Sequence, residues 1–250
     1  MRFQDKVLFA TGGGSGIAAE VARRFTAEGG RVAVVDLDEV RAKAVAAEIE
    51  GAVALGCDVS DEESVERAVR SAADQLGGVD CVFNAGGHAE FGPIEEWSLA
   101  RWDKMMAVHV GGTFLVTKHA LPHLRARGGG SIVNVASVAA FVAQRGNAPY
   151  GAAKAAIAGF TRQVALEVGP DIRVNCVAPG RTQTGMTEPL MVARGGGDVA
   201  KGAEAFGQGN IQKRVASAAE LAAAVCFLLS DEASFVTGST MVVDGGETVI

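Results

Sequence analysis

Seven short runs of β-branched and aliphatic residues recur along the chain, each separated from the next by a longer stretch with helical spacing. The runs lie at 7–11, 31–36, 52–59, 79–86, 131–137, 172–180 and 240–246; the helical stretches lie at 16–28, 39–49, 61–76, 99–124, 150–168 and 217–229. Strands that are almost continuously apolar need cover on both faces, and successive parallel strands need a crossover that a helix supplies. Right-handed crossovers place those helices on both sides of the sheet. The pattern predicts an α/β fold: a doubly wound, seven-stranded parallel sheet with helices on both faces, in a single domain spanning 1–250. An aromatic share of only 6% fits helices held close to the sheet by small aliphatic side chains.

One segment breaks the rhythm. Residues 181–212 carry Arg-Gly-Gly-Gly at 194–197, Gly-Gln-Gly-Asn at 207–210 and little strand character, and read as a mobile insertion. The segment follows the C-terminal end of a strand, where open α/β sheets bind ligands, so it is expected to act as a substrate lid.

The first strand runs directly into Thr11-Gly12-Gly13-Gly14-Ser15-Gly16-Ile17-Ala18 and then a helix. Glycines such as Gly12, Gly14 and Gly16 let the backbone approach a pyrophosphate, and the helix start at Ser15 and Ile17 offers free N–H groups and a favourable dipole. Asp36 ends the second strand, where a carboxylate accepts hydrogen bonds from the adenosine ribose. This makes the expected sheet Rossmann-type. A carboxylate there also repels a 2'-phosphate, and Leu37 follows it rather than a base, so NAD is preferred over NADP. Asp58, after the third strand, is placed to meet the adenine edge.

With these residues in place the whole chain resembles the short-chain dehydrogenase/reductase family of compact type. Thr11-Gly12 to Gly16-Ile17 is similar to the family's cofactor turn, Asp58-Val59 to its adenine contact, and Asn84-Ala85-Gly86 to its strand-four turn. Ser137 with Tyr150 and Lys154 resembles its catalytic set, and Pro179-Gly180 with Thr184 its nicotinamide-end loop. Three positions depart from the pattern. Ala18 replaces a glycine that serves close helix packing, Thr182 stands where Val or Ile is usual, and His109 stands where an asparagine usually holds a water chain to the lysine. A histidine can hold water too, or titrate near neutral pH and alter the relay. The resemblance also implies a homotetramer, with a dimer as the smaller alternative, paired through helices 99–124 and 150–168.

Tyr150 and Lys154 are four residues apart on a helix and share a face. A free phenol is a poor base at neutral pH, and a nearby ammonium together with an oxidised nicotinamide is expected to favour its phenolate. Tyr150 is then the general acid-base residue, Ser137 orients the substrate oxygen, and Lys154 also bonds the nicotinamide ribose. His88, Gln144, Arg145 and Asn147 border the substrate by family position. Arg181, Arg194 and Lys201 on the insertion would attract an anion, but Glu188, Asp198 and Glu204 in the same stretch cancel much of that field, so no acid substrate follows. The expected reaction interconverts a small or medium secondary alcohol and a ketone. A 3-oxoacyl-thioester reductase and a non-catalytic NAD-binding regulator are the competing readings; Asp36 opposes the first, and only His109 favours the second.

A net charge of −6 leaves no basic footprint for a nucleic acid. No apolar run reaches the ~18 residues that span a bilayer, and the polar start at Met1–Lys6 has no signal-peptide pattern, so a cytoplasmic protein without membrane contact is expected. Cys57, Cys81, Cys176 and Cys226 stand apart in apolar contexts and read as small buried hydrophobes. His119 and His123 share a helical face without the acidic residue of a zinc helix, and Pro122 intervenes, so no metal is expected.

Overall fold

All seven apolar runs form strands in the computed structural model, which describes residues 1–250. They are β1 (Val7–Thr11), β2 (Arg31–Asp36), β3 (Val53–Gly56), β4 (Cys81–Asn84), β5 (Gly130–Val135), β6 (Ile172–Pro179) and β7 (Thr240–Val243). The sheet order is β3-β2-β1-β4-β5-β6-β7, and every neighbouring pair is parallel. The helices are α1 (Gly16–Ala27), α2 (Glu39–Ala46), α3 (Glu62–Leu76), α4 (Leu99–Met106), α5 (Gly112–Ala126), α6 (Ala148–Val168), α7 (Glu188–Arg194), α8 (Val199–Gly207) and α9 (Ala218–Leu229).

Strand side chains alternate between two cores. Leu8 and Ala10 of β1 pack with Val21 and Phe25 of α1 and Leu221 and Val225 of α9. Val7 and Phe9 pack on the other side with Val65 and Val69 of α3, Val116 of α5 and Val164 of α6. Full burial of each such Val, Leu or Phe side chain stabilises the fold by roughly 1.5–3 kcal/mol. The winding runs outward from β1 to β3, and α3 then returns the chain to the other side of β1 for β4. That reversal opens a crevice at the C-terminal ends of β1 and β4, the usual ligand position in such sheets.

Element ends shift by a few residues from those expected, and three differences have a local reason. The third strand stops at Gly56, because Asp58 takes the N–H of Ser60 (2.9 Å) and turns the chain out of the sheet. The stretch 99–124 is not one helix: residues 107–111 widen into a π-helical turn between α4 and α5, which directs His109 inward. A π turn of this kind inserts one residue and often marks a functional site. The segment 181–212 contains α7 and α8, packed on one another. Gly202 serves that packing, since a Cβ there would collide with the backbone of Met191, whereas Gly196 and Gly197 stand in open space.

All four cysteines are buried and free. No helix is long and apolar enough to cross a membrane.

Candidate active site

The turn from β1 into α1 forms one end of a cavity of about 1020 Å³ that runs along the C-terminal edge of the sheet. Gly12 has φ +65°, and a Cβ there would stand 2.9 Å from the carbonyl oxygen of Ala85. Thr11 Oγ1 accepts the N–H groups of Ala85 and Gly86, both at 3.1 Å, and fixes the turn to the loop after β4. Ser15 precedes α1 without a side-chain cap bond, and no acidic residue occupies the first turn. The helix start is therefore an open anion site that fits a pyrophosphate.

Asp36 lies at the end of β2, its Oδ2 accepting Gly14 N–H (2.9 Å) and its Oδ1 accepting Asp38 N–H (3.0 Å). Two backbone bonds hold the carboxylate while lone pairs remain for ribose hydroxyls. Leu37, largely exposed, lines the same end with Asp58 and Val59. The donor set, the glycine turn and the carboxylate together fit a dinucleotide.

Ser137, Tyr150 and Lys154 line the opposite part of the cavity. Ser137 ends the stretch after β5, and its Oγ accepts Ala139 N–H (3.2 Å), leaving the hydroxyl proton free to donate. Tyr150 sits in the first turn of α6, whose start is fixed by Pro149. Lys154 is buried, and its Nζ donates to the Val135 carbonyl (2.8 Å), 5.4 Å from the Tyr150 ring centroid.

Burial sets the proton affinities here. It pushes the Tyr150 phenol up to about 12, with the Ser137 hydroxyl opposing the shift. Burial pulls the Lys154 ammonium down to about 8. The expected lowering of the phenol by Lys154 is thus not made by the protein alone, because the ammonium is turned to a carbonyl. Tyr150 holds its proton at neutral pH.

His109 is 1% exposed, and its ring meets that of Tyr150 edge-on at 5.5 Å. Burial, reinforced by the charge of Lys154, drives its pKa to about 3, so it does not titrate near neutrality as a free histidine would. Its Nε2 lies 2.8 Å from the His88 carbonyl and 3.2 Å from His88 N–H. In the tautomer that donates to the shorter contact, Nδ1 is a bare acceptor, and it has no protein partner.

Gly87 makes room for this ring. A Cβ there would overlap Cε1 and stand 2.8 Å from Nδ1 of His109. Gly87→Ala is expected to lower stability by about 1–3 kcal/mol in chemical unfolding and to reduce turnover, as overpacking displaces the ring from Tyr150. Unchanged unfolding and turnover would show that the ring can move without consequence.

The cavity gathers nearly all the residues expected from sequence, including Ala85, Gly86, Pro179, Gly180, Thr182, Thr184, His88, Gln144, Arg145 and Asn147. Gly14 and Asn84 do not line it, and Asn84 is buried. Asn84 Nδ2 donates to Asn134 Oδ1 (2.9 Å), and Asn134 Nδ2 donates to Thr161 Oγ1 (3.0 Å), linking β4 to β5 and α6. Thr182 is buried, and its carbonyl accepts the Thr187 hydroxyl (2.6 Å), which shapes the loop after β6. Lys104, Arg41, Phe206 and Glu247 also line the cavity, although no local motif marks them in the sequence.

A dinucleotide cradle that leads into a serine, a tyrosine and a buried lysine defines a nicotinamide-dependent oxidoreductase acting on CH–OH groups. A family model described as enoyl-(acyl carrier protein) reductase matches residues 12–248. The chain is 41% identical to 2-(S)-hydroxypropyl-CoM dehydrogenase 3 of Xanthobacter autotrophicus, over 100% of this chain and 99% of that protein. It is 38% identical to meso-2,3-butanediol dehydrogenase of Serratia marcescens, over 99% and 96%. The crystal structure of levodione reductase superposes with a TM-score of 0.93 at 37% identity, covering 99% of both chains. The chain belongs to the short-chain dehydrogenase/reductase family.

Proposed function

We propose that this protein is an NAD-dependent dehydrogenase or ketone reductase of a small secondary alcohol, with Tyr150 as its general acid-base residue. The observation that carries this reading is the continuity of one cavity from the Asp36 carboxylate to Ser137, Tyr150 and Lys154. When bound, the nicotinamide supplies or accepts the hydride. Ser137 donates to the substrate oxygen and fixes the reacting carbon. In reduction Tyr150 gives its proton to the forming alkoxide; in oxidation its phenolate takes the alcohol proton. Lys154, still mainly charged at pH 7, stabilises that phenolate and would hold the nicotinamide ribose. His109 presents an uncharged acceptor beside Tyr150 and serves the relay by accepting a hydrogen bond from water.

The segment 181–212 acts as the substrate lid: Met186, Leu190 and Phe206 face the cavity from it. A cytoplasmic homotetramer is the proposed assembly, and the exposed Phe114 on α5 and Leu166 on α6 support pairing through those helices. Asp36 selects NAD by bonding the ribose and repelling a 2'-phosphate. Asp36→Ala is expected to weaken NAD about 10- to 100-fold and to raise the NADP-to-NAD ratio of kcat/KM, as loss of bonds to a charged acceptor implies. Titration of both cofactors against wild type and variant tests this, and an unchanged ratio would refute the role of Asp36.

A further inference from the structure

Along the sequence, the charges of residues 181–212 cancel; in the fold they separate. Arg181 and Arg194 line the cavity, whereas Glu188, Asp198 and Glu204 do not. Asp198 instead caps α8, its Oδ1 accepting the N–H groups of Ala200 (2.9 Å) and Lys201 (3.2 Å). The cancellation expected from composition therefore fails at the site.

Arg181 is structural. Its Nη1 donates to the Phe206 carbonyl (2.6 Å), and its Nε lies 3.1 Å from Oε1 of the largely buried Glu247. Arg194 is different. Its guanidinium rests on the Phe206 ring at 4.6 Å from the centroid, while that of Arg181 lies 4.9 Å from the same centroid. The Arg194 side chain has neither a carboxylate partner nor a hydrogen bond, and the same holds for the side chains of two other cations on the cavity, Lys104 of α4 and Arg145 in the loop before α6. Lys104 stands close enough to His88 to add to the lowering that burial imposes on that ring. The acidic side chains on the cavity are Asp36 and Asp58 at the adenosine end, and Glu247, already paired with Arg181.

These three exposed cations, none paired with a carboxylate side chain, lie around one cavity and add a positive potential that an anion relieves. A guanidinium lying on an aromatic ring keeps its N–H edge free for two oxygens of a carboxylate, sulfonate or phosphate. Leu190 and Arg194 are one helical turn apart on α7 and both face the cavity, so the cation continues the apolar lid wall. From Thr187, beside the nicotinamide-end loop, α7 rises about 10 Å to Arg194.

We propose that the substrate is an alcohol or ketone with an anionic group remote from the reacting carbon, bound by Arg194 within the field of Lys104 and Arg145. This deepens the oxidoreductase reading and rests on it. The test compares matched pairs: 4-hydroxypentanoate and its methyl ester, and a secondary alkanol ending in sulfonate and the same alkanol ending in sulfonamide. Turnover with NAD is measured for each, and binding of the corresponding ketones to the NADH-loaded protein is measured by calorimetry. The anionic member is expected to show at least about tenfold higher kcat/KM and tighter binding at low salt, with the advantage shrinking as salt is added. Arg194→Glu is expected to abolish or invert the preference, and Arg194→Lys to retain part of it. Turnover without preference, or a preference that Arg194→Glu leaves unchanged, overturns this inference and leaves the oxidoreductase reading standing. Tight, Arg194-dependent binding of the anionic ketones without turnover would support the anion site and count against the reaction. Absence of both rejects the two together.

Discussion

Tyr150→Phe is expected to lower turnover by about 10³-fold while leaving NAD affinity within a few-fold of wild type, the size of effect general acid-base catalysis supplies. Tyr150 is the only tyrosine in the chain, and it lines the cavity beside Ser137 and Lys154. Phenylalanine keeps the ring that meets His109 edge-on and removes only the hydroxyl. With the phenol pushed up to about 12 by burial, the protein holds a proton ready for ketone reduction across the neutral range. Steady-state rates and cofactor fluorescence titration on the same preparation separate chemistry from binding. Wild-type turnover in the variant would assign the proton to another group.

Lys154→Met is expected to lower turnover by about 10²- to 10³-fold, comparable to removing one preorganised charge from an active site. It should also make the protein more stable at pH 7. Burial lowers the ammonium from 10.5 to about 8, which corresponds to about 3 kcal/mol of destabilisation while the group is charged in both states. Because the folded value lies below the unfolded one, this penalty is full below pH 8 and disappears as pH rises towards 10.5. Methionine removes the penalty and loses the bond to the Val135 carbonyl, worth about 1 kcal/mol, so a net gain of about 1–2 kcal/mol is expected. Urea unfolding of both proteins at pH 7 and near pH 10 checks the sign: the gap should narrow at the higher pH. A less stable variant at pH 7 would show that the lysine's contacts outweigh its burial.

The parts of this molecule legible in the sequence are those written in local pattern. Alternating apolar runs specify the sheet, and the glycine turn, Asp36 and the i,i+4 pair Tyr150–Lys154 each declare themselves within a few residues. Hydrophobic periodicity could not show the π turn at 107–111, since one inserted residue leaves the apolar stripe on both sides intact. Glycines at 194–197 and 207–210 mark the insertion in the sequence, but the two helices inside it and the close approach of their backbones at Gly202 are not written in that pattern. The state of His109 depended on how completely the fold closes over it, and the charge pattern of 181–212 depended on which face each side chain takes. Asn84 matched its motif, yet it is buried, its amide engaged by Asn134, and it does not line the cavity.

The most direct test of the central reading follows the near-ultraviolet absorbance of reduced nicotinamide. Secondary alcohols, diols, hydroxy acids and 3-hydroxyacyl thioesters are offered with NAD and, separately, with NADP. Growth of that absorbance with NAD and a secondary alcohol, lost in Tyr150→Phe, is the expected result. NAD binding with no absorbance change across the whole panel would contradict it and identify the chain as a nucleotide-binding protein without this turnover.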